Sequence, residues 1–333
     1  MIKIKTIAIF IEWGRSKLAY QYVNTLSPGN PFRDWLIEKV VTDRLKNKRC
    51  LVDVFKSNSS HTVCKYYFKG EHYSVVAKFF SEPTGQLKNY NFYKGMMREY
   101  RNLERAASII NVAKPLAANK KYNCALVTEY IPGKSLGWYI KHEEKLNERL
   151  AAVAHMLRQL HDNTKSSYNE ENEFRNYHKV LDHLKLDRDT RKTFNKLLGE
   201  WWYSSWLDRE YGCMVVHRDA SPSNYIFCED KPYAIDFESS WSHAHPVRDL
   251  GILTAELKNE FERHKGGGWK AEPYIGNFLW EYSDDRKDFT YITKVLPFFM
   301  SIGLLRSALI HQGSHRSYLI KEARECLKAI NKD

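Results

Sequence analysis

The spacing of apolar residues before position 132 predicts a small sheet-based lobe. Three short runs at 50–55, 62–68 and 73–80 are rich in β-branched and aromatic residues, which is typical of strands, and polar turns separate them. Residues 92–110 instead carry apolar side chains at helical spacing, and a further strand pattern at 125–131 ends at a Pro-Gly pair. The predicted order is therefore strand, strand, strand, helix, strand.

After residue 133 the pattern becomes helical. Residues 147–161 place their apolar side chains on one face, and the segments 246–264 and 295–327 have the same period. Residues 33–48 also have helical spacing, ahead of the first strand. The sequence thus predicts an α+β fold with two lobes, a small β-rich one followed by a larger, mainly helical one. The predicted parts are an N-terminal extension at 1–48, an N-lobe at 49–131 and a C-lobe at 132–333.

The overall charge of the chain is basic. Lysine and arginine together number 52 against 40 acidic residues, giving a formal net charge of +12 over 333 residues. Such a surface attracts polyanions, so nucleic acid, an acidic membrane or a phosphorylated partner are all compatible with it. A solvated basic surface without any specific partner explains the same composition equally well.

Cysteine spacing and hydropathy indicate the cellular compartment of the chain and whether it crosses a membrane. The six cysteines are scattered without a C-x-x-C pair, which favours a reducing cytoplasm over a disulfide or zinc framework. The apolar run at 295–305 is interrupted by Pro297 and Ser301 and is too short to span a bilayer, so we expect a buried helix and no transmembrane segment. The apolar start at 1–11 contains Lys3 and Lys5, which favours a strand over a signal peptide.

The segment 213–238 concentrates the candidate chemistry. A short apolar strand leads into His217 and Asp219, and two strand-like runs with a turn between them predict a hairpin centred near Asp230. Such a hairpin would place Asn224 and Asp236 roughly opposite each other, beside Asp219. Oxygen donors that converge without histidine or cysteine suit Mg²⁺.

The pattern H-x-D-x-x-x-x-N followed by I-D-F-E resembles the catalytic and metal-binding loops of the protein-kinase-like superfamily, in its aminoglycoside phosphotransferase and choline kinase branch. The resemblance implies that Asp219 accepts the proton of the substrate hydroxyl and that His217 braces the loop. It also implies that Asn224 and Asp236 hold Mg²⁺, with Glu238 assisting a second metal ion.

The N-lobe resembles the same superfamily in the same order along the chain. The sequence Val-Val-Ala-Lys at 75–78 is similar to the strand whose lysine meets the ATP phosphates, and Glu99 lies on the inner side of the next helix, with Glu104 as its rival. The turn 57–61 stands where the phosphate-covering loop lies, and 127–133 resembles the hinge whose backbone pairs with adenine. The nucleotide-binding residues implied in this way are Lys78, Glu99, Ser57, Ser59, Ser60, Glu129 and Ile131.

Three departures from the family pattern are visible. The phosphate-covering turn has no glycine, Glu238 replaces the glycine of D-F-G, and Arg218 stands where this branch has glycine. The interval from Asp236 to Asp249 leaves no room for a regulated activation segment, which argues against a phospho-regulated protein kinase. For Asp249 two roles stay open: complementing a helix dipole or hydrogen-bonding the catalytic loop.

The function predicted from the sequence is an ATP- and Mg²⁺-dependent kinase that phosphorylates a hydroxyl of a small-molecule acceptor. Helices within 162–211 are the expected place for acceptor binding. One alternative is an atypical protein kinase resembling the Rio type, which Arg218 and the basic charge favour. The other is a non-catalytic nucleotide-binding or RNA-associated module.

Overall fold

The computed structural model describes residues 20–57, 60, 62–81, 91–216 and 221–331. Its first part is built on a six-stranded antiparallel sheet with the strand order β1-β2-β3-β4-β6-β5. The strands are β1 (Tyr20–Leu26), β2 (Val52–Ser57), β3 (Val63–Phe68), β4 (Tyr73–Phe79), β5 (Pro115–Asn119) and β6 (Ala125–Glu129).

Side chains on alternate faces of these strands form the core of the N-lobe. Val52 and Phe68, which pair across β2 and β3, are fully buried, and so are Val75 and Ala77 on β4. Side chains two residues apart in a strand lie on the same face, so the valine and alanine of β4 enter the core while Lys78 lies on the opposite face. The predicted strands at 50–55, 62–68, 73–80 and 125–131 are all present, whereas β1 and β5 were not predicted.

The segment expected to be a separate extension is part of this sheet from Tyr20 onwards. Strand β1 pairs with β2 from Tyr20 opposite Ser57 to Leu26 opposite Val52, so a boundary at residue 49 divides one sheet. Leu36 and Ile37 are also buried in the same hydrophobic cluster as Val52. The sheet therefore reaches about 30 residues further toward the N-terminus than the apolar pattern indicated.

The predicted helix at 33–48 is shorter than its pattern suggested. It consists of α1 (Pro31–Trp35), capped by the Asn30 side chain, and a π-helical turn at Leu36–Val40. The buried guanidinium of Arg33 donates to the backbone carbonyls of Lys48 (2.9 Å) and Cys50 (2.7 Å). Because these bonds draw the chain back onto the helix, residues 41–50 form turns instead of further helix.

Helix α2 (Phe92–Ala107) packs on the sheet and ends three residues before the predicted limit. Asn91 caps it by accepting a hydrogen bond from the Lys94 N–H at 2.9 Å. Its buried stripe contains Met96, Glu99 and Leu103, so a carboxylate stands among apolar side chains. Such a group requires a partner, which the functional site supplies.

The second part of the chain is mainly helical, as predicted, and the α+β two-lobed class is thereby confirmed. Its helices are α3 (Leu136–His142), α4 (Leu146–Asp162), α5 (Glu171–Leu184), α6 (Arg188–Ser204), α7 (Val247–His264), α8 (Glu272–Tyr282), α9 (Arg286–Ile310) and α10 (Gly313–Leu327). Short strands β7 (Lys134–Ser135), β8 (Cys213–Val215), β9 (Tyr225–Cys228), β10 (Lys231–Ala234) and β11 (Trp241–Ala244) complete it.

Helices α7 and α9 form the centre of the C-lobe. They approach closely at Gly251, where a Cβ atom would lie 2.3 Å from the Cβ of Phe299. In the described part of the chain α9 alone is long and apolar enough to cross a bilayer, yet 72% of its most apolar window is buried inside the lobe. Burial of that kind is typical of a core helix.

Candidate active site

A cleft of about 440 Å³ lies between the two lobes. Its apolar lining comes from both sides: Val63, Val76, Leu103, Ala113 and Leu126 from the N-lobe, and Ile131, Ile226 and Ile235 from the hinge and the C-lobe. The lining as a whole contains nine of the residues predicted for the site: Ser57, Ser60, Lys78, Glu99, Glu129, Ile131, Asn224, Asp236 and Glu238. Residues far apart in sequence are thus brought to one place.

Lys78 stands at the centre of the polar part of this cleft. Its Nζ lies 2.9 Å from Glu99 Oε2, 2.8 Å from Asp236 Oδ1 and 2.8 Å from Glu238 Oε2. Glu99 is the partner expected for this lysine, whereas its rival Glu104 is exposed. One cation therefore joins the N-lobe sheet, helix α2 and the loop after β10.

Burial and charge act in opposite directions on these groups. Burial raises the pKa of Glu99, Lys78 lowers it and the carboxylates of Asp236 and Glu238 raise it, which leaves it at about 7. For Lys78, burial lowers the pKa, but the three carboxylates outweigh burial and hold the pKa well above its usual value. The lysine consequently stays charged across the physiological range.

The β9–β10 hairpin has a register slightly different from the predicted one. Tyr225 pairs with Ala234 and Cys228 with Lys231, so the centre falls between Glu229 and Asp230. Asn224 therefore opposes Ile235, whose N–H donates to the Asn224 carbonyl at 3.0 Å, and Asp236 lies one residue further on. Asn224 and Asp236 are thus roughly opposite, as predicted, but offset by one residue.

Asp236 and Asn224 nevertheless both reach the cleft. Asp236 has a φ of +63°, a left-handed conformation that aspartate tolerates better than most residues and that ends the strand. Carboxylate oxygens of Glu99, Asp236 and Glu238 all lie within 4.8 Å of one another. This all-oxygen set could hold a hard divalent cation such as Mg²⁺ once the Lys78 ammonium, which contacts all three carboxylates, turns aside, and Asn224 lines the same cleft. Sequence reasoning had placed Glu99 only with the lysine.

Three predicted site residues, His217, Asp219 and Ser59, lie outside the described residues. The backbone at Val216, immediately before residues 217–220, has two polar neighbours. The buried Val216 N–H donates to Asp249 Oδ2 at 2.8 Å, and His161 Nε2 lies 3.2 Å from the same oxygen. Asp249, fully buried in the first turn of α7, thus contacts the residue that precedes 217, and its position also suits the helix dipole; a hydrogen bond to residues 217–220 themselves stays a prediction.

The described residues in and next to the predicted 57–61 turn carry hydroxyl side chains. Ser60 N–H donates to the Ser57 carbonyl at 3.4 Å, and the Ser60 and Thr62 hydroxyl oxygens are 3.3 Å apart. Ser57, Ser60 and Thr62 all line the cleft. Hydroxyls and backbone N–H groups in a turn can cradle an anion without glycine.

The lobes are joined at the back of the cleft by residues 129–135. Strand β7 pairs with β9, with Lys134 opposite Phe227. At Gly133 a Cβ atom would lie 1.9 Å from the Phe227 carbonyl oxygen, so only glycine allows this approach. Glu129 and Ile131 therefore lie beside a connection that is sterically fixed.

The cleft also contains residues that sequence reasoning did not identify, among them Tyr20, Thr62 and Tyr130. Thr62 directly follows the predicted turn 57–61, and Tyr130 lies within the predicted hinge 127–133, between the two residues singled out there. Tyr20 adjoins no predicted site segment, and its place in the cleft depends on the pairing of β1 with β2.

Comparison with known proteins agrees with this arrangement. The sequence profile of the phosphotransferase enzyme family matches residues 56–282, which is more than half of the chain. A comparison with curated protein sequences finds no match.

Solved structures share the fold at low sequence identity. An ethanolamine kinase of Plasmodium vivax has a TM-score of 0.57 and 14% identity, over 90% of this chain and 86% of that one. The choline kinase LicA of Streptococcus pneumoniae has a TM-score of 0.53 and 16% identity, over 82% and 91%. The ternary complex of streptomycin, ATP and APH(2″)-IIa has a TM-score of 0.53 and 16% identity, over 91% and 97%. These likenesses confirm the kinase-like two-lobed fold, and with the profile match they show that the chain belongs to the phosphotransferase enzyme family.

Proposed function

We propose that this chain is an ATP- and Mg²⁺-dependent phosphotransferase that moves the γ-phosphoryl group to a hydroxyl of a small-molecule acceptor. The observation that supports this most is the meeting of Lys78 from the N-lobe with Asp236 and Glu238 from the C-lobe in one cleft. A cation and oxygen donors at the junction of two lobes suit a triphosphate and its metal ion.

The nucleotide would lie along the cleft. The apolar side chains of Val76, Leu126 and Ile226 suit the faces of a purine, and the backbone at Glu129 and Ile131 would pair with its edge. The hydroxyl-rich turn containing Ser57, Ser59 and Ser60 would cover the phosphates. A structural neighbour is named as a complex with ATP, which supports the use of a nucleotide.

Mg²⁺ would be held by Asn224 and Asp236, with Glu238 assisting. When bound, the ion would neutralise charge on the phosphate oxygens. Lys78, which contacts Asp236 and Glu238, would turn toward the α- and β-phosphates while Glu99 keeps its position. These residues orient the reacting groups, so catalysis would come from positioning and charge stabilisation.

Asp219 would accept the proton of the acceptor hydroxyl while the hydroxyl oxygen attacks the γ-phosphorus. The bond between the γ-phosphorus and the β–γ bridging oxygen would break, and ADP would leave. His217 would brace the same loop. The hydrogen bond from the Val216 N–H to Asp249 supports this role, because it anchors the chain three residues before Asp219.

Amino alcohols and aminoglycosides are the first acceptors to consider, since the structural neighbours are named as choline and ethanolamine kinases and as a streptomycin complex. Six free cysteines suit the reducing cytoplasm that we propose as the compartment.

The test is a screen of ADP formation from ATP with amino alcohols, sugars, nucleosides and aminoglycosides, with and without Mg²⁺. We expect acceptor-dependent ADP formation that requires Mg²⁺ and is lost in Asp219→Ala. Transfer of labelled phosphate to protein instead of a small molecule would favour the Rio-like alternative. Absence of turnover and of ATP binding would contradict the proposal.

A further inference from the structure

Tyr20 contributes to the nucleotide cleft from outside the region that matches the family profile. The profile match begins at residue 56, whereas Tyr20 is the first residue of β1 and lies opposite Ser57 at the end of β2. The half-buried Tyr20 side chain lines the same cleft as Lys78 and Asp236. The edge strand of the sheet therefore adds an aromatic residue next to the phosphate-covering turn.

Tyr20 has neighbours both in this turn and in the hinge. Burial raises the pKa of Tyr20, and the nearby Tyr130 phenol and Cys64 thiol raise it further, so its hydroxyl stays protonated. Tyr130 follows the hinge residue Glu129, and the Lys65 Nζ lies 3.8 Å from the centroid of its ring. One face of Tyr130 is thus covered by a cation, and Tyr20 and Tyr130 both line the cleft.

We infer that Tyr20 is a nucleotide-positioning residue whose ring packs against the nucleoside of a bound purine triphosphate. The inference rests on the proposed function. Tyr20 lies opposite Ser57 of the turn and near Tyr130 of the hinge, so its ring lines the cleft between the expected places of the phosphates and the base. Aromatic rings stack on bases of any kind, and a ring that covers the nucleoside excludes water from that part of the cleft.

The consequence is a division of labour between the residues of the cleft. Ser57, Ser60 and Lys78 contact the phosphates, while Tyr20 contacts the nucleoside. Loss of the Tyr20 ring therefore weakens binding of ATP but leaves binding of inorganic tripolyphosphate unchanged.

The experiment is calorimetric titration of the full chain with Mg²⁺–ATP and with Mg²⁺–tripolyphosphate. In Tyr20→Ala we expect the Kd for ATP to rise about tenfold, in line with the loss of one aromatic stacking partner, and the Kd for tripolyphosphate to stay the same. Tyr20→Phe keeps the ring and should bind ATP like the wild type. Tyr22→Ala is the matched control, because Tyr22 lies on the same strand, is half exposed and packs on Phe55.

The outcomes separate the two proposals. If the wild-type chain binds no ATP, the proposed function is overturned. If the wild type and Tyr20→Ala bind ATP with the same Kd, only the role of Tyr20 is overturned. An equal loss for ATP and tripolyphosphate also overturns it. If Tyr20→Ala does not fold, hydrogen exchange of the backbone amides in the wild type tests the inference. ATP should protect the amides of Tyr20–Leu26 from exchange more than tripolyphosphate does. Equal protection by the two ligands would contradict the inference.

Discussion

Lys78 and Asp236 are 158 residues apart in the chain, yet the Nζ of the lysine lies 2.8 Å from Oδ1 of the aspartate. The pair connects β4 of the N-lobe with the loop that follows β10 of the C-lobe. Glu99 and Glu238 contact the same ammonium group, so one positive charge is shared by three carboxylates. The contact therefore links the two lobes across the cleft.

Replacing Lys78 with methionine should destabilise the fold as well as weaken ATP binding. The side chain of Glu99 is only 4% exposed, so removing the cation leaves a buried carboxylate without its partner, at a cost of about 2 kcal/mol in unfolding free energy. Denaturant unfolding measures the loss. Lys69→Met is the control, since Lys69 is half exposed and 3.5 Å from Asp53; equal stability of the two variants would contradict the argument.

Asp219→Ala and Asp236→Ala should separate chemistry from binding. Without Asp219 we expect turnover to fall by about 10²–10⁴-fold while ATP still binds, because a general base acts on the acceptor and not on the nucleotide. Without Asp236 we expect Mg²⁺-dependent ATP affinity to be lost, since a ligand of the ion is missing. Turnover assays and calorimetry report the two effects; near-wild-type turnover in the first variant, or unchanged titration in the second, would refute the assigned roles.

Asp249→Ala should lower turnover and stability together. The substitution leaves the buried Val216 N–H without its acceptor, which costs about 1–3 kcal/mol and loosens the entry to the 217–220 loop. We expect kcat to fall with little change in the KM for ATP. Asp189, in the first turn of α6, tests the helix-dipole effect alone; if Asp189→Ala reproduces the full loss, the contact with Val216 is unimportant.

Gly133→Ala should disrupt the connection between the lobes. A Cβ atom there would overlap the Phe227 carbonyl at 1.9 Å, so β7 and β9 cannot keep their pairing. We expect a lower melting temperature and weaker ATP binding. Gly199→Ala is a suitable control because the helical Gly199 has open space around it, and alanine there should add about 0.5–1 kcal/mol of stability. A melting temperature in Gly133→Ala at or above the wild-type value would show that the backbone can move aside.

The stability of the fold should decrease as the pH falls below about 6.5, partly because of His245. Burial lowers the pKa of His245 well below its usual value, and Arg209 and His161 lower it further. The native state then keeps this ring neutral, while the unfolded state binds a proton below pH 6.5, so acid favours unfolding by up to about 1.4 kcal/mol per pH unit.

His245→Asn removes this titration and can still accept the hydrogen bond that the Val247 N–H donates to His245 Nδ1 at 3.2 Å. Melting temperatures measured between pH 5 and 7.5 should therefore vary less with pH in the variant than in the wild type. His155→Asn serves as the control, because the side chain of His155 is 63% exposed. Parallel curves for the wild type and His245→Asn would rule out a contribution from His245.

Local sequence was sufficient for several parts of this protein. The alternation at 75–78 puts Val75 and Ala77 in the core and Lys78 in the cleft, and the helical period of α2 turns Glu99 inward. These outcomes depend on periods of two and of 3.6 residues, which neighbouring side chains establish by themselves. The two-lobed class followed from the same periods, whereas the family followed from the resemblance of the motifs within 213–238.

Other features depended on contacts between distant segments. The pairing of β1 with β2 brought Tyr20 into the cleft, and the buried Arg33 shortened the helix that its periodicity predicted. The register of the β9–β10 hairpin moved Asn224 opposite Ile235, and Asp249 met Val216 across 33 residues. Sequence determined which side chains face inward, because that depends on local period; tertiary structure decided which of them meet, because pairing partners are chosen by packing across the whole chain.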